Sequence, residues 1–221
     1  MLSFDRPHDP DDARFRLTEA TRAVIAQLAS STASDEAFER ARDLVERAAK
    51  VLHERGHDRQ YQGAEASLAE HQGAGSFLDF SPFVGSFNPL APPISIAMGE
   101  GAMAGTVIGT VTFGDAYEGP PGCVHGGFVA AGFDEVLGFA QSLSGQPGMT
   151  GRLTVSYRSP TPLHRPVRFE GRIDHVDGRK IHTVATLHHG ETLCAEAQGL
   201  FISMKPEVFQ HLMRHRARPA G

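Results

Sequence analysis

Two cysteines in 221 residues, Cys123 and Cys194, are too few for a disulfide framework, and the apolar stretches around them predict buried thiols in a reducing compartment. Cationic excess is missing too. With 21 Lys and Arg against 26 Asp and Glu, the formal charge of -5 offers little to nucleic acid or to an anionic membrane surface. No apolar run approaches the length needed to span a bilayer, and the acid-containing start MLSFDRPHDPDD does not read as a secretory or transit leader. A cytoplasmic protein without a membrane span is expected. The 12 histidines show neither HExxH nor paired Cys/His spacing, so no metal site is expected. Without GxGxxG or a Walker loop, dinucleotide and nucleoside triphosphate binding lack support, and without GxSxG so does an α/β-hydrolase.

Hydrophobic residues make up 40% of the chain and charged residues 21%, which is ordinary for a globular protein. Apolar positions Phe15, Leu17, Ala20, Val24, Ile25 and Leu28 predict a helix over residues 12–29. Ser34 or Asp35 caps a second, amphipathic helix that carries Phe38, Ala41, Leu44, Val45, Ala48 and Leu52 and stops at Gly56. The pair can form an antiparallel hairpin, which buries too little alone and should pack on the main domain or a partner subunit. A polar linker follows over residues 57–75. The expected organisation is a helical extension and linker over 1–75 and one α+β domain over 76–221. Within that domain, strands are predicted at 94–98, 102–113, 150–158, 167–176, 180–189 and 191–203, with a helix over 124–143 between the second and third.

That helix opens with the most informative run, PGCVHGGFVAAGFDEVLG from Pro121 to Gly138. Gly126 and Gly127 let a ligand approach the backbone where the first helical N–H groups lack internal partners and the dipole is positive. A carbonyl docked there would be polarised, as an oxyanion hole requires. The helix is apolar nearly all round until Asp134 and Glu135 interrupt it. A carboxylate there is costly to desolvate unless partnered or used, and burial would move it toward the range of a general base. Glu135 points about 100° away from Asp134 and reads as a structural or exposed acid.

Gly126 and Asp134 lie about 12 Å apart along the helix axis and roughly 80° around it. One thioester cannot touch both. If both serve one substrate, the glycine of one subunit meets the acid of another, in a site built across a homodimer interface.

The chain resembles the hotdog-fold acyl-CoA thioesterases, in the phenylacetyl-CoA-thioesterase-like branch related to the human mitochondrial long-chain acyl-CoA thioesterases. The resemblance rests on His-Gly-Gly at 125–127, on Asp134 nine residues after His125, on Thr150, and on TGRLTVSYRSPTPL from Thr150 to Leu163, and it runs from about residue 80 to 204. It implies a strongly bent antiparallel sheet around a central helix, preceded here by the helical extension. It also implies that the Gly126 N–H, helped by Gly127, polarises the thioester carbonyl. Asp134 then acts as general base or nucleophile, Thr150 positions water, and His125 shapes the helix start. In part of the branch an asparagine six residues before the histidine helps to hold the carbonyl; this chain has Gly119 there, which places it nearer the long-chain-acyl relatives that also lack it. No cofactor is implied beyond the coenzyme A of the substrate, and the assembly expected is a homodimer or a dimer of dimers. A hotdog enoyl-CoA hydratase and a non-catalytic acyl-CoA-binding protein are the alternatives.

Strand alternation places Leu153, Val155 and Tyr157 on one face, with Thr150, Arg152, Thr154, Ser156 and Arg158 on the other. The polar face reads as an interface, a ligand groove or a solvated surface. Arg158 with Ser159, and Arg179 with Lys180, are candidate contacts for the phosphates of coenzyme A.

Overall fold

The computed structural model describes residues 9–53, 79–146, 148–204 and 207. In chain order it contains α1 (Ala13–Ser30), α2 (Asp35–His53), β1 (Ser95–Met98), β2 (Thr106–Thr112), α3 (Gly126–Ser142), β3 (Gly148–Tyr157), β4 (Pro166–Asp177), β5 (Lys180–His189) and β6 (Thr192–Ser203). The segment predicted as a strand from residue 102 instead begins with a 3-10 turn, Gly101–Met103, and extends only from Thr106. The expected stop at Gly56 and the linker over 57–75 lie outside the described residues.

The six strands form one antiparallel sheet in the order β1-β2-β4-β5-β6-β3. The hairpins β4–β5 and β5–β6 turn at Gly178 and Gly190, both with φ near +55°, where glycine adopts the left-handed backbone without a Cβ clash. Helix α3 lies on one face of the sheet and buries Val129, Phe133, Val136, Leu137 and Ala140. This is the bent-sheet, central-helix α+β fold anticipated from the sequence.

Close approach between helix and sheet depends on positions without side chains, Gly109 of β2 among them, where a Cβ would lie 2.7 Å from Val136 Cγ2. A Cβ on Gly132 of α3 would lie 2.6 Å from Phe169 Cζ, and one on Gly171 of β4 would lie 2.8 Å from Val136 Cγ1. Phe133 and Phe169 then meet edge to face, with centroids 5.1 Å apart. Glycine weakens a strand locally, but here it lets a larger apolar surface close.

The N-terminal helices behave differently from each other. Arg22 of α1 donates through Nη2 to the carbonyls of Gly85, Ser86 and Asn88 at 2.8, 3.1 and 2.9 Å, and α1 packs on the 3-10 turn Asp115–Tyr117. Helix α2 buries no residue. The two do not pack along their lengths, so the expected hairpin does not form within the described residues.

Phe133 is fully buried between α3 and the sheet. Replacing it with alanine should lower the unfolding free energy by about 3–5 kcal/mol, read as a reduced urea midpoint with an unchanged slope.

Candidate active site

His125 ends the preceding loop in an extended conformation and caps α3 with its own ring. Its Nδ1 accepts from the Gly127 N–H at 3.0 Å, which places any proton of the neutral ring on Nε2. Gly127 is therefore engaged, whereas the Gly126 N–H has no hydrogen-bond partner among the described residues. The helix thus starts at Gly126 rather than at residue 124, leaving one free donor at its positive end.

Gly119 packs directly against this turn. A Cβ there would lie 2.7 Å from His125 Cα. The Gly119 N–H donates to Cys123 O, the His125 N–H to Tyr117 O, and Glu118 bridges Val124. Cys123 sits in this turn and is only partly covered, unlike Cys194, which is buried as expected.

Two helical turns further on, the half-buried Asp134 accepts a hydrogen bond from the Thr150 hydroxyl, Oγ1 to Oδ1 at 2.8 Å. Simple alternation would turn Thr150 away from the helix. The structure corrects this with a β-bulge. Thr150 pairs with Phe201 and Arg152 with Leu200, leaving Gly151 as the extra residue. Because Phe201 is a core residue, Thr150 shares its helix-facing side, while Arg152 stays on the outer face.

A contact missed in the sequence joins the other end of β3 to the helix start. Tyr157 donates its hydroxyl to the Gly126 carbonyl at 2.7 Å. Strand alternation makes it only one of three residues on a common face. No local pattern ties it to a residue 31 positions away. Strand β3 therefore touches α3 at both elements of the candidate site, Thr150 at Asp134 and Tyr157 at Gly126.

Glu135 is the acid that burial moves. Desolvation raises its pKa from 4.5 to about 6, offset in part by the Ser81 hydroxyl, which donates to Oε1 at 3.2 Å, and reinforced by the charge of Asp134. The same Ser81 oxygen accepts from the Phe83 and Val84 N–H groups. Glu135 thus ties the segment before β1 to α3, which is a structural role.

The four candidate phosphate contacts do not converge within one chain. Arg158 pairs with Glu196, and the Arg158 and Ser159 N–H groups both donate to Cys194 O, next to the Tyr157 end of β3. Arg179 donates from Nε and Nη2 to Ser203 O, and Lys180 pairs with Ile202, next to the Gly148 end. The length of β3 separates the two groups by roughly 30 Å. The polar outer face lines an open concavity of about 750 Å³ with Thr154, Ser156, Glu170, Arg172, Glu196 and Gln198. It lies across the sheet from Asp134, so it is not the cleft of this site. Among the described residues, no cluster of His, Cys, Asp and Glu could hold a metal, and no helix is long and apolar enough to cross a membrane.

Residues 121–196 match the family model of the thioesterase superfamily. A solved thioesterase superfamily protein is 33% identical and superposes with a TM-score of 0.76, over 91% of this chain and 96% of that one. The chain belongs to the thioesterase superfamily. It is also 36% identical over 95 residues to acyl-coenzyme A thioesterase THEM4 of Xenopus laevis and 35% identical over 96 residues to the THEM4 of Bos taurus. These matches span 42% of this chain and 43% and 39% of those proteins, less than half the length of either relative.

Because the Glu135 proton is held more tightly in the folded chain than in the unfolded one, its stabilising contribution is complete below pH about 4.5 and is lost as pH rises through about 6. Glu135→Gln keeps an acceptor for Ser81 and removes the buried charge. The variant should be more stable than wild type above pH 6, by up to about 2 kcal/mol, with the difference vanishing toward pH 4.5 in denaturant titrations.

Proposed function

We propose that this protein is an acyl-CoA thioesterase that hydrolyses its substrate to a carboxylic acid and coenzyme A, without a further cofactor. The observation that carries this reading is the separation, on one helix, of a carboxylate held by a threonine hydroxyl from a free N–H at the helix start. Thioester hydrolysis needs both, on opposite sides of one carbonyl. With Oδ1 of Asp134 held by Thr150, the other oxygen is available to take a proton from water, so we assign Asp134 as general base. The water attacks the carbonyl carbon, the oxyanion forms against the Gly126 N–H, and collapse of the tetrahedral intermediate expels the thiolate of coenzyme A. Thr150 positions the water and His125 sets the turn that exposes Gly126.

A second subunit supplies the missing half. Strand β3 is a ten-residue sheet edge, the kind of strand that templates pairing. Antiparallel pairing of two β3 strands, with Thr150 beside Tyr157 of the partner subunit, brings Asp134 toward Gly126 of the partner subunit. The two-fold axis then passes between Leu153 and Thr154. The same pairing brings Arg158 and Ser159 of one chain to the end of β3 where Arg179 and Lys180 of the other lie, so cations separated in one chain gather beside one site. This supports a homodimer as the catalytic unit. The two free thiols, Cys123 and Cys194, fit a reducing compartment such as the cytoplasm, with a role in fatty acid metabolism.

Asp134→Asn should lower the rate of free-thiol release from an acyl-CoA panel by about a hundredfold or more, with the fold intact by circular dichroism. Unchanged turnover removes Asp134 from the mechanism, and no release by wild type on any acyl chain favours an acyl-CoA-binding protein instead. The shared site has its own test. Co-expressing Asp134→Asn with Gly126→Val, each inactive alone, should recover about a quarter of wild-type activity, since half the dimers are mixed and each mixed dimer holds one intact site. Mixed dimers seen by mass spectrometry without recovered activity would place each site within a single chain.

A further inference from the structure

Tyr157 shares a strand face with Leu153 and Val155 but not their task. Those two pack against the hydrophobic core, whereas Tyr157 is 54% exposed and meets the helix start through its hydroxyl. The end of its ring also lies against the Gly126 backbone, because a Cβ at 126 would stand 3.2 Å from the Tyr157 oxygen and 3.3 Å from its Cζ. Any side chain at 126 would press on the phenol. Gly126 therefore admits Tyr157 on one side of the backbone as well as a ligand on the other.

We propose that Tyr157 is a positioning residue for the oxyanion donor, acting through the backbone of Gly126 and Gly127; this rests on the thioesterase reading and deepens it. Two glycines in succession are a permissive start for a helix, and first-turn N–H groups have no intrahelical acceptor to hold them. The peptide planes must be fixed from outside. The His125–Gly126 peptide, which carries the free N–H, is held at its carbonyl by the Phe128 N–H at 2.9 Å. The next peptide, Gly126–Gly127, is held at both ends: Tyr157 donates to its carbonyl at 2.7 Å, and its own N–H donates to His125 Nδ1 at 3.0 Å. A bond accepted at the carbonyl polarises the amide and strengthens the bond its N–H donates. Phenol, peptide and imidazole thus form one chain, joined to the donor peptide through the Gly126 Cα alone. The same chain commits the Gly127 N–H to the ring, so the aim of the Gly126 N–H decides how well the oxyanion is met.

Tyr157→Phe keeps the ring and removes the donated proton. In steady-state thiol release from acyl-CoA, kcat should fall about tenfold with KM within about twofold of wild type, because the donor acts on charge that develops only in the transition state. Amide exchange at Gly127, followed by NMR in the same variant, should be about tenfold faster, while the Phe133 and Val136 amides stay as protected as in wild type. Val155→Ala loosens the same strand against the core without touching the chain of bonds. It should lower the urea midpoint and leave both kcat and Gly127 exchange at wild-type values. An unchanged kcat or unchanged Gly127 exchange in Tyr157→Phe overturns the proposal, and so do equal losses in Val155→Ala, which would make β3 a general support. A wild type that releases no thiol from any acyl-CoA removes the thioesterase reading, and Gly127 exchange then still reports whether the phenol holds the helix start.

Discussion

Enclosure of α3 is the constraint from which the rest of the structure follows. Val129, Phe133, Val136, Leu137 and Ala140 are buried on a helix whose remaining surface is also largely apolar, so a single flat contact would leave much of it in water. The sheet answers with glycine at its point of closest approach and a large aromatic beside it, Gly171 and Phe169 on neighbouring turns of one strand's pleat. Apart from Gln141, buried in the last turn, polar groups on the helix lie where the sheet's grip ends. Asp134 faces the β3 edge, Glu135 the segment before β1, and the unpaired Gly126 N–H the loop. The chemistry sits where enclosure stops.

Much of this was legible in the residues. Period-two and period-3.6 patterns located the strands and helices to within a few positions, because burial against one partner imposes those periods directly. The glycine pair after His125 marked a helix start that a ligand can approach. Three features were not legible, each for a physical reason. Alternation assumes one residue per ladder position, and the bulge at Gly151 breaks that count, which is why strict alternation puts Thr150 on the wrong face. The Tyr157 hydroxyl and Gly126 carbonyl meet only through tertiary folding, which no local spacing encodes. The choice between a structural and an exposed Glu135 cannot be made from α3 alone, because the Ser81 segment that covers it lies 54 residues away in sequence.

The bulge also separates two demands on β3. Its outer face must alternate regularly to remain a ladder partner of β6, whereas one hydroxyl must face inward to reach the helix. An inserted glycine satisfies both, since it shifts the phase of Thr150 without disturbing Leu153 or Val155. Tyr157, further along, needs no such shift and braces the other end of the same strand against the helix start. The distance between these two braces is therefore set by the rise of a strand, not by flexible loops.

The cramped contact between Gly119 and His125 couples a residue that touches no substrate to the donor of the site. Even the first carbon of a side chain at 119 would collide with the histidine backbone, so a larger residue fits there only if the turn that presents the Gly126 N–H shifts with it. Volume at a remote loop position thereby sets where the donor sits.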